Sequence, residues 1–140
     1  MIDIILHTPK NISFSKEIVN NLPLAIKKQL PKEIAVIAVS PQESLKLNRQ
    51  YRNKQKPANV LSFLYGQEYG EIIVCPSVIY NDAKKQNNTQ VFQMTWMIVH
   101  GMLHLAGLHH EDSRIVAEKG ERIENAILDI LFNTSKEIRD

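Results

Sequence analysis

Apolar residues recur along this chain at two spacings, and each change of spacing marks a new element. A short run from Ile2 to Leu6 is broken by Thr8-Pro9 and Lys10-Asn11, which predicts a first strand running into a loop. From Phe14, apolar residues return every fourth position at Ile18, Leu22, Ile26 and Leu30. That draws one helical stripe with Ser15 as N-cap, and Pro23 should kink or split it. Ile34 to Val39 is continuously apolar and of strand length, which predicts a central strand covered on both faces. Ser40-Pro41-Gln42-Glu43 joins an N-cap serine, a first-turn proline and the glutamate of a capping box, so a helix carrying Leu45, Leu47, Asn48 and Tyr51 starts there.

Asn59 to Tyr65 is rich in β-branched and aromatic residues and reads as a strand. Gly66 and Gly70 bracket a turn, and Glu71 to Cys75 forms a second strand antiparallel to the first, stopped by Pro76. A helix over about Ser77 to Lys85 follows. After the polar break Asn87-Asn88-Thr89, the residues Val91, Phe92, Trp96, Val99 and Leu103 open a long helix that is apolar nearly all round and therefore buried on most sides. Asp112 or Ser113 caps a last helix, with Ile115, Ile123, Ile127, Ile130 and Leu131 as its core stripe. The sum is a mixed α/β fold, a small four-stranded mixed sheet with about five helices.

Composition narrows the class without identifying a task. A length of 140 residues suits one compact domain over 1–140, and 44% hydrophobic with 23% charged residues is the balance of an ordinary soluble globular protein. Met1 to His7 lacks the basic and long apolar regions of a secretion signal, and no stretch is apolar for long enough to span a bilayer. The lone Cys75 cannot make an internal disulfide and reads as a small buried thiol, so a reducing cytoplasm is expected. A net charge of +2 is too small to imply nucleic acid by itself. Its distribution is more telling: from Ser44 to Gln67 there is no acidic residue, while Lys46, Arg49, Arg52, Lys54 and Lys56 all fall in that window. Taken alone, the window fits either a solvated helix face and loop or a track for a polyanion.

The candidate chemistry lies at the end of the long helix. His100, His104, His109 and His110 are four of the chain's five histidines, packed around Gly107. His100 and His104 sit one turn apart on one helix face, Gly107 can end the helix in the left-handed conformation, and the chain can then bring His110 back to the same point. Three imidazoles leave a fourth metal position open, the mark of a catalytic rather than a structural zinc. Zinc, one ion per chain, is the best fit for a set of nitrogen ligands, with iron or nickel as alternatives. Hydrolysis is the reaction class that follows. The spacing resembles the metzincin protease motif, yet the glutamate that follows its first histidine is here Gly101. Glu111 and Asp112 could supply a carboxylate, or could simply cap the last helix.

With these residues in view, His100-Gly101-x-Leu103-His104-Leu105-x-Gly107-x-x-His110 resembles the signature of the YbeY family of bacterial endoribonucleases. Leu47-Asn48-x-x-Tyr51-Arg52-x-Lys54 with Lys56-Pro57-x-Asn59-Val60-Leu61-Ser62-Phe63 is similar to that family's second motif, and Gly70-Glu71-Ile72-Ile73-Val74 to its hairpin strand. The resemblance implies a single-strand-specific, metal-dependent endoribonuclease of the cytoplasm, acting in late maturation of small-subunit ribosomal RNA at its 3′ end and in ribosome quality control. It also implies single-stranded RNA precursors and the ribosome or its proteins as partners, with no membrane. Carried over by position, His100, His104 and His110 match the zinc ligands, and Arg52 matches the functional arginine of a basic groove, where Arg49, Lys54 and Lys56 would hold the RNA backbone. Two positions depart from the pattern: His109 stands where the family has Asp, and Ala58 where it commonly has Thr. A metallopeptidase-like hydrolase and a ribosome-associated binding factor with a structural zinc are the competing readings.

Overall fold

A computed structural model of the chain describes residues 3–12, 15–108 and 113–132. Four strands, β1 (Ile5–His7), β2 (Glu33–Ala38), β3 (Val60–Leu64) and β4 (Tyr69–Val74), form one sheet in the order β1-β2-β4-β3. β1, β2 and β4 run parallel, and β3 pairs antiparallel with β4, with Leu61 opposite Ile73 and Phe63 opposite Glu71. The expected hairpin and mixed sheet are therefore present, and Ile34 and Val36 of the interior strand β2 are buried.

The described residues hold six α-helices, against about five expected: α1 (Ser15–Asn21), α2 (Leu24–Lys27), α3 (Pro41–Arg52), α4 (Pro76–Lys85), α5 (Gln90–Leu105) and α6 (Arg114–Leu131). The additional one arises at Pro23, which cannot donate inside a helix and instead caps α2, its carbonyl accepting from Ile26 and Lys27. The stripe Ile18, Leu22 and Ile26 stays buried across the break. Ser15 is not an N-cap; it lies within α1, buried, and its hydroxyl donates to the Ile12 carbonyl at 2.8 Å, because a 3₁₀ turn at Lys10–Ile12 brings that oxygen beneath it. α3 begins on the expected capping box, with Glu43 N–H donating to Ser40 Oγ and the Glu43 carboxylate accepting from Ser40 N–H.

The main core lies on one face of the sheet, where Ile34, Val36, Ile72 and Val74 meet Ile98, Met102 and Leu103 of α5. On the other face a smaller cluster of Ala58, Leu61 and Ile73 packs with Ile37, Phe63 and Leu47 of α3. α5 is buried along most of its circumference, as its composition demands. The last helix follows expectation at Ile123, Ile127 and Leu131, which pack on the core, and differs from it at two positions. Ile115 is 77% exposed and Ile130 57%, while Gly120, Glu124, Ile127 and Leu128 are buried. The buried positions 120, 124, 127 and 128 centre the inward face about 45° round the helix from Ile127, toward Glu124, and at about 100° per residue 115 and 130 both fall more than about 90° from that centre. No helix among the described residues is long and apolar enough to cross a membrane.

Candidate metal centre and basic groove

α5 is half-buried rather than buried along a single line, Phe92, Trp96, His100 and His104, spaced by four. This line faces away from the sheet because Met97, Ile98, Gly101 and Met102 occupy the inward side. The imidazoles of His100 and His104 stack obliquely with centroids 4.4 Å apart and planes at 43°. Gly107 ends the helix at φ +94°; its N–H donates to the His104 carbonyl at 3.0 Å, and Leu108 N–H reaches back to Leu103 at 2.9 Å. These are the two bonds of a Schellman motif, and they require the left-handed residue. His110, the third expected ligand, lies outside the described residues, as do His109, Glu111 and Asp112. Among the described residues no group of three His, Cys, Asp or Glu side chains is placed to hold a metal. The two imidazoles on one half-buried line fit a nitrogen-preferring ion as two of its ligands. His7, the fifth histidine, lies away from them, paired with Glu33 at 2.8 Å across β1 and β2.

Glu124 was not foreseen. It is 4% exposed on α6, and its two oxygens address two residues of the same α5 line. Trp96 Nε1 donates to Oε1 at 2.9 Å, and His100 Nδ1 lies 3.4 Å from Oε2. Trp96 is thus both a core residue and a hydrogen-bond donor. The available signal was a carboxylate inside the 120/124/127/131 stripe of α6, where burial demands a partner. A cleft of about 330 Å³ opens beside this group, lined by Asn59, Trp96, Met97, His100, Glu121 and Glu124.

The basic window folds back on itself. α3 ends at Asn53, whose φ of 54° turns the chain, and the loop to Asn59 then runs alongside the helix. Two buried polar residues of α3 hold it. Ser44 Oγ donates to the Ala58 carbonyl at 2.7 Å and accepts from Ala58 N–H at 2.8 Å, while Asn48 Nδ2 donates to the Lys56 carbonyl at 2.8 Å. Arg52, Lys54 and Lys56 thereby line one hollow of about 580 Å³, with Asn81, Asp82 and Lys85 of α4 also on its wall. Arg49 is not among them; it points elsewhere on α3 and donates to Gln55 at 3.2 Å. Asn59 borders both this hollow and the histidine cleft. Its Nδ2 donates to Met97 Sδ at 3.2 Å and its Oδ1 accepts from Val60 N–H at 2.7 Å, which ties the start of β3 to α5.

The position of the missing protease glutamate also has a structural meaning. Gly101 is pressed against the sheet, its carbonyl accepting from Ser62 Oγ at 3.2 Å, and a Cβ there would come 2.8 Å from Ile72 Cγ2. A longer side chain at 101 has no room to reach the histidine line.

Known proteins resemble this chain over most of its length. The family model described as Endoribonuclease YbeY matches residues 4–132. The Endoribonuclease YbeY of Thermotoga neapolitana is 39% identical over 102 residues, 69% of this chain and 68% of that protein. That of Acinetobacter baumannii is 38% identical over 107 residues, 69% of this chain and 68% of that protein. The solution structure of TM1509 from Thermotoga maritima superposes with a TM-score of 0.62 at 28% identity, covering 94% of this chain and 92% of the other. On a match that runs from β1 to the end of α6, the chain belongs to the YbeY family.

Proposed function

We propose that this protein is a metal-dependent endoribonuclease that cleaves single-stranded ribosomal RNA precursors in the cytoplasm, in late maturation of the 3′ end of small-subunit ribosomal RNA and in ribosome quality control. The observation that carries this reading is the shared wall at Asn59, which sets a hollow lined by Arg52, Lys54 and Lys56 directly beside the cleft that holds His100. A cationic hollow next to a pair of imidazoles suits a phosphodiester lying across the histidines and offers little to a peptide bond.

In this reading His100 and His104, with His110, hold one zinc ion. Zinc bound there supplies Lewis-acid polarisation of a phosphoryl oxygen and a water of lowered pKa. Arg52 neutralises charge that builds on the phosphoryl oxygens, and its planar fork can contact two of them at once. Lys54 and Lys56 hold the flanking backbone as point charges. Arg49 would reach RNA only outside the hollow. A metallopeptidase is disfavoured by the packing of Gly101 on Ile72, which leaves no place for a glutamate at that turn.

The test is to measure metal bound to the purified protein and to follow cleavage of a single-stranded ribosomal RNA fragment, its duplex and casein, with and without chelator. His104→Ala and Arg52→Glu are expected to abolish RNA cleavage and to lower kcat/KM by about a hundredfold or more, respectively. RNA cleavage that survives both substitutions would reveal a contaminating nuclease and sink the assignment. Casein cleavage would point to the peptidase, and zinc-dependent RNA binding without cleavage to a ribosome-associated binding factor.

A further inference from the structure

Metal ligands on a helix need something behind them to fix the ring, and α6 supplies a carboxylate in that position. Glu124 is buried at 4% exposure and lies 3.4 Å from His100 Nδ1 through Oε2, while its Oε1 is anchored by Trp96 Nε1 at 2.9 Å. Where Glu124 is ionised it can only accept, and the 3.4 Å contact with His100 then requires the proton on Nδ1. The lone pair of the neutral ring is then on Nε2, the nitrogen on the far side from Glu124. Burying a carboxylate in a helix–helix seam is costly unless its oxygens are satisfied, and here both are turned to the α5 line.

We infer that Glu124 is a positioning residue which, anchored by Trp96, fixes the orientation and the Nδ1–H tautomer of His100 so that Nε2 is presented as a metal ligand. Trp96 limits the rotation of the carboxylate, and the docking of α6 on α5 thus becomes part of the metal site. The inference rests on the proposed role of His100 as a ligand.

The substitution that tests it is Glu124→Gln, which keeps the size of the side chain. Its carbonyl can still accept from Trp96, but its amide then turns an N–H toward His100 Nδ1 and favours the opposite tautomer. Three readouts separate positioning from simple packing. The imidazole nitrogen shifts of the metal-free protein, at a pH where the ring is neutral, should report Nδ1–H at His100 in the parent chain and Nε2–H in the variant. Affinity for Zn2+, measured against a chromophoric chelator, should fall by about 10–100-fold. The visible spectrum with Co2+ in place of zinc should change, while the melting temperature of the metal-free protein changes little. Trp96→Phe, which leaves Glu124 in place without its anchor, should weaken Zn2+ binding less. It also serves if the glutamine variant fails to fold. Unchanged Zn2+ affinity in the variant that folds, or a parent His100 protonated on Nε2, would overturn the inference. A parent protein that binds no Zn2+ would instead overturn the site itself.

Discussion

A single methyl group added to Gly101 sets two effects against each other. Alanine is favoured over glycine in a helix by about 1 kcal/mol. Its Cβ, however, would lie 2.8 Å from Ile72 Cγ2 and 3.2 Å from Ser62 Oγ, and overpacking of this kind costs about 1–3 kcal/mol. Gly101→Ala is therefore expected to destabilise the fold by up to about 2 kcal/mol net, read as a lower urea midpoint. A raised midpoint would mean that the sheet gives way freely. A second residue-scale effect concerns the hairpin, where the Glu71 carboxylate accepts from Tyr65 at 3.2 Å and from Tyr69 at 2.8 Å. The Tyr69 hydroxyl is raised above 10.0 chiefly by that hydrogen bond and then by desolvation, whereas Tyr65 is raised by desolvation first and by Glu71 second. A phenol whose pKa is higher in the folded state binds its proton more tightly there. Its contribution to stability is present below 10.0 and is lost as pH rises through the folded value. Glu71→Gln should move both titrations back toward 10.0, visible as phenolate absorbance appearing at lower pH. An unchanged titration curve would remove Glu71 as the cause.

At the scale of elements, the loop between α3 and β3 has no regular structure of its own over most of its length, and its shape is imposed by Ser44 and Asn48. Ser44→Ala would leave the buried N–H and carbonyl of Ala58 without their partner, at a cost of about 1–3 kcal/mol. The expected result is faster amide exchange over residues 53–59 and a several-fold weaker affinity for single-stranded RNA. Unaltered exchange there would show that the loop holds itself. The same segment shows what local pattern can and cannot reveal. The capping box of Ser40 and Glu43, the break at Pro23 and the left-handed Gly107 were legible because each acts within a few residues. Ser44 reads as an ordinary helix serine until Ala58, fourteen residues on, is folded against it. The inward face of α6 is legible in Ile123, Ile127 and Leu131, which pack on the core, but not in Ile115 and Ile130, because several isoleucines compete for it and docking on α5 and α1 chooses between them.

At the scale of the molecule, the net charge of +2 is a poor guide to binding, because Arg52, Lys54, Lys56 and Lys85 share one hollow with a single acidic residue, Asp82. Three neutralised phosphates on a single strand give a slope of about −2 for log K against log salt, and Lys54→Ala should reduce its magnitude by about 0.7. Fluorescence anisotropy with a short single-stranded RNA measures both, and a salt-independent affinity would exclude the hollow as the binding track. The chain by itself determined the order and kind of nearly all the elements, the pairing of His100 with His104 on one helix face, and membership of the family. These follow from periodicity, capping and motif spacing, which are properties of neighbouring residues. Only the tertiary structure decided that Glu124 stands behind His100, that Asn59 joins the basic hollow to the histidine cleft, and that Gly101 faces Ile72. Each of these brings together residues 24 or more positions apart, and no local spacing encodes the angle at which two helices or a helix and a sheet come to rest. The histidine motif names the metal-binding candidates, but the packing of α6 on α5 sets Glu124 3.4 Å from His100 Nδ1.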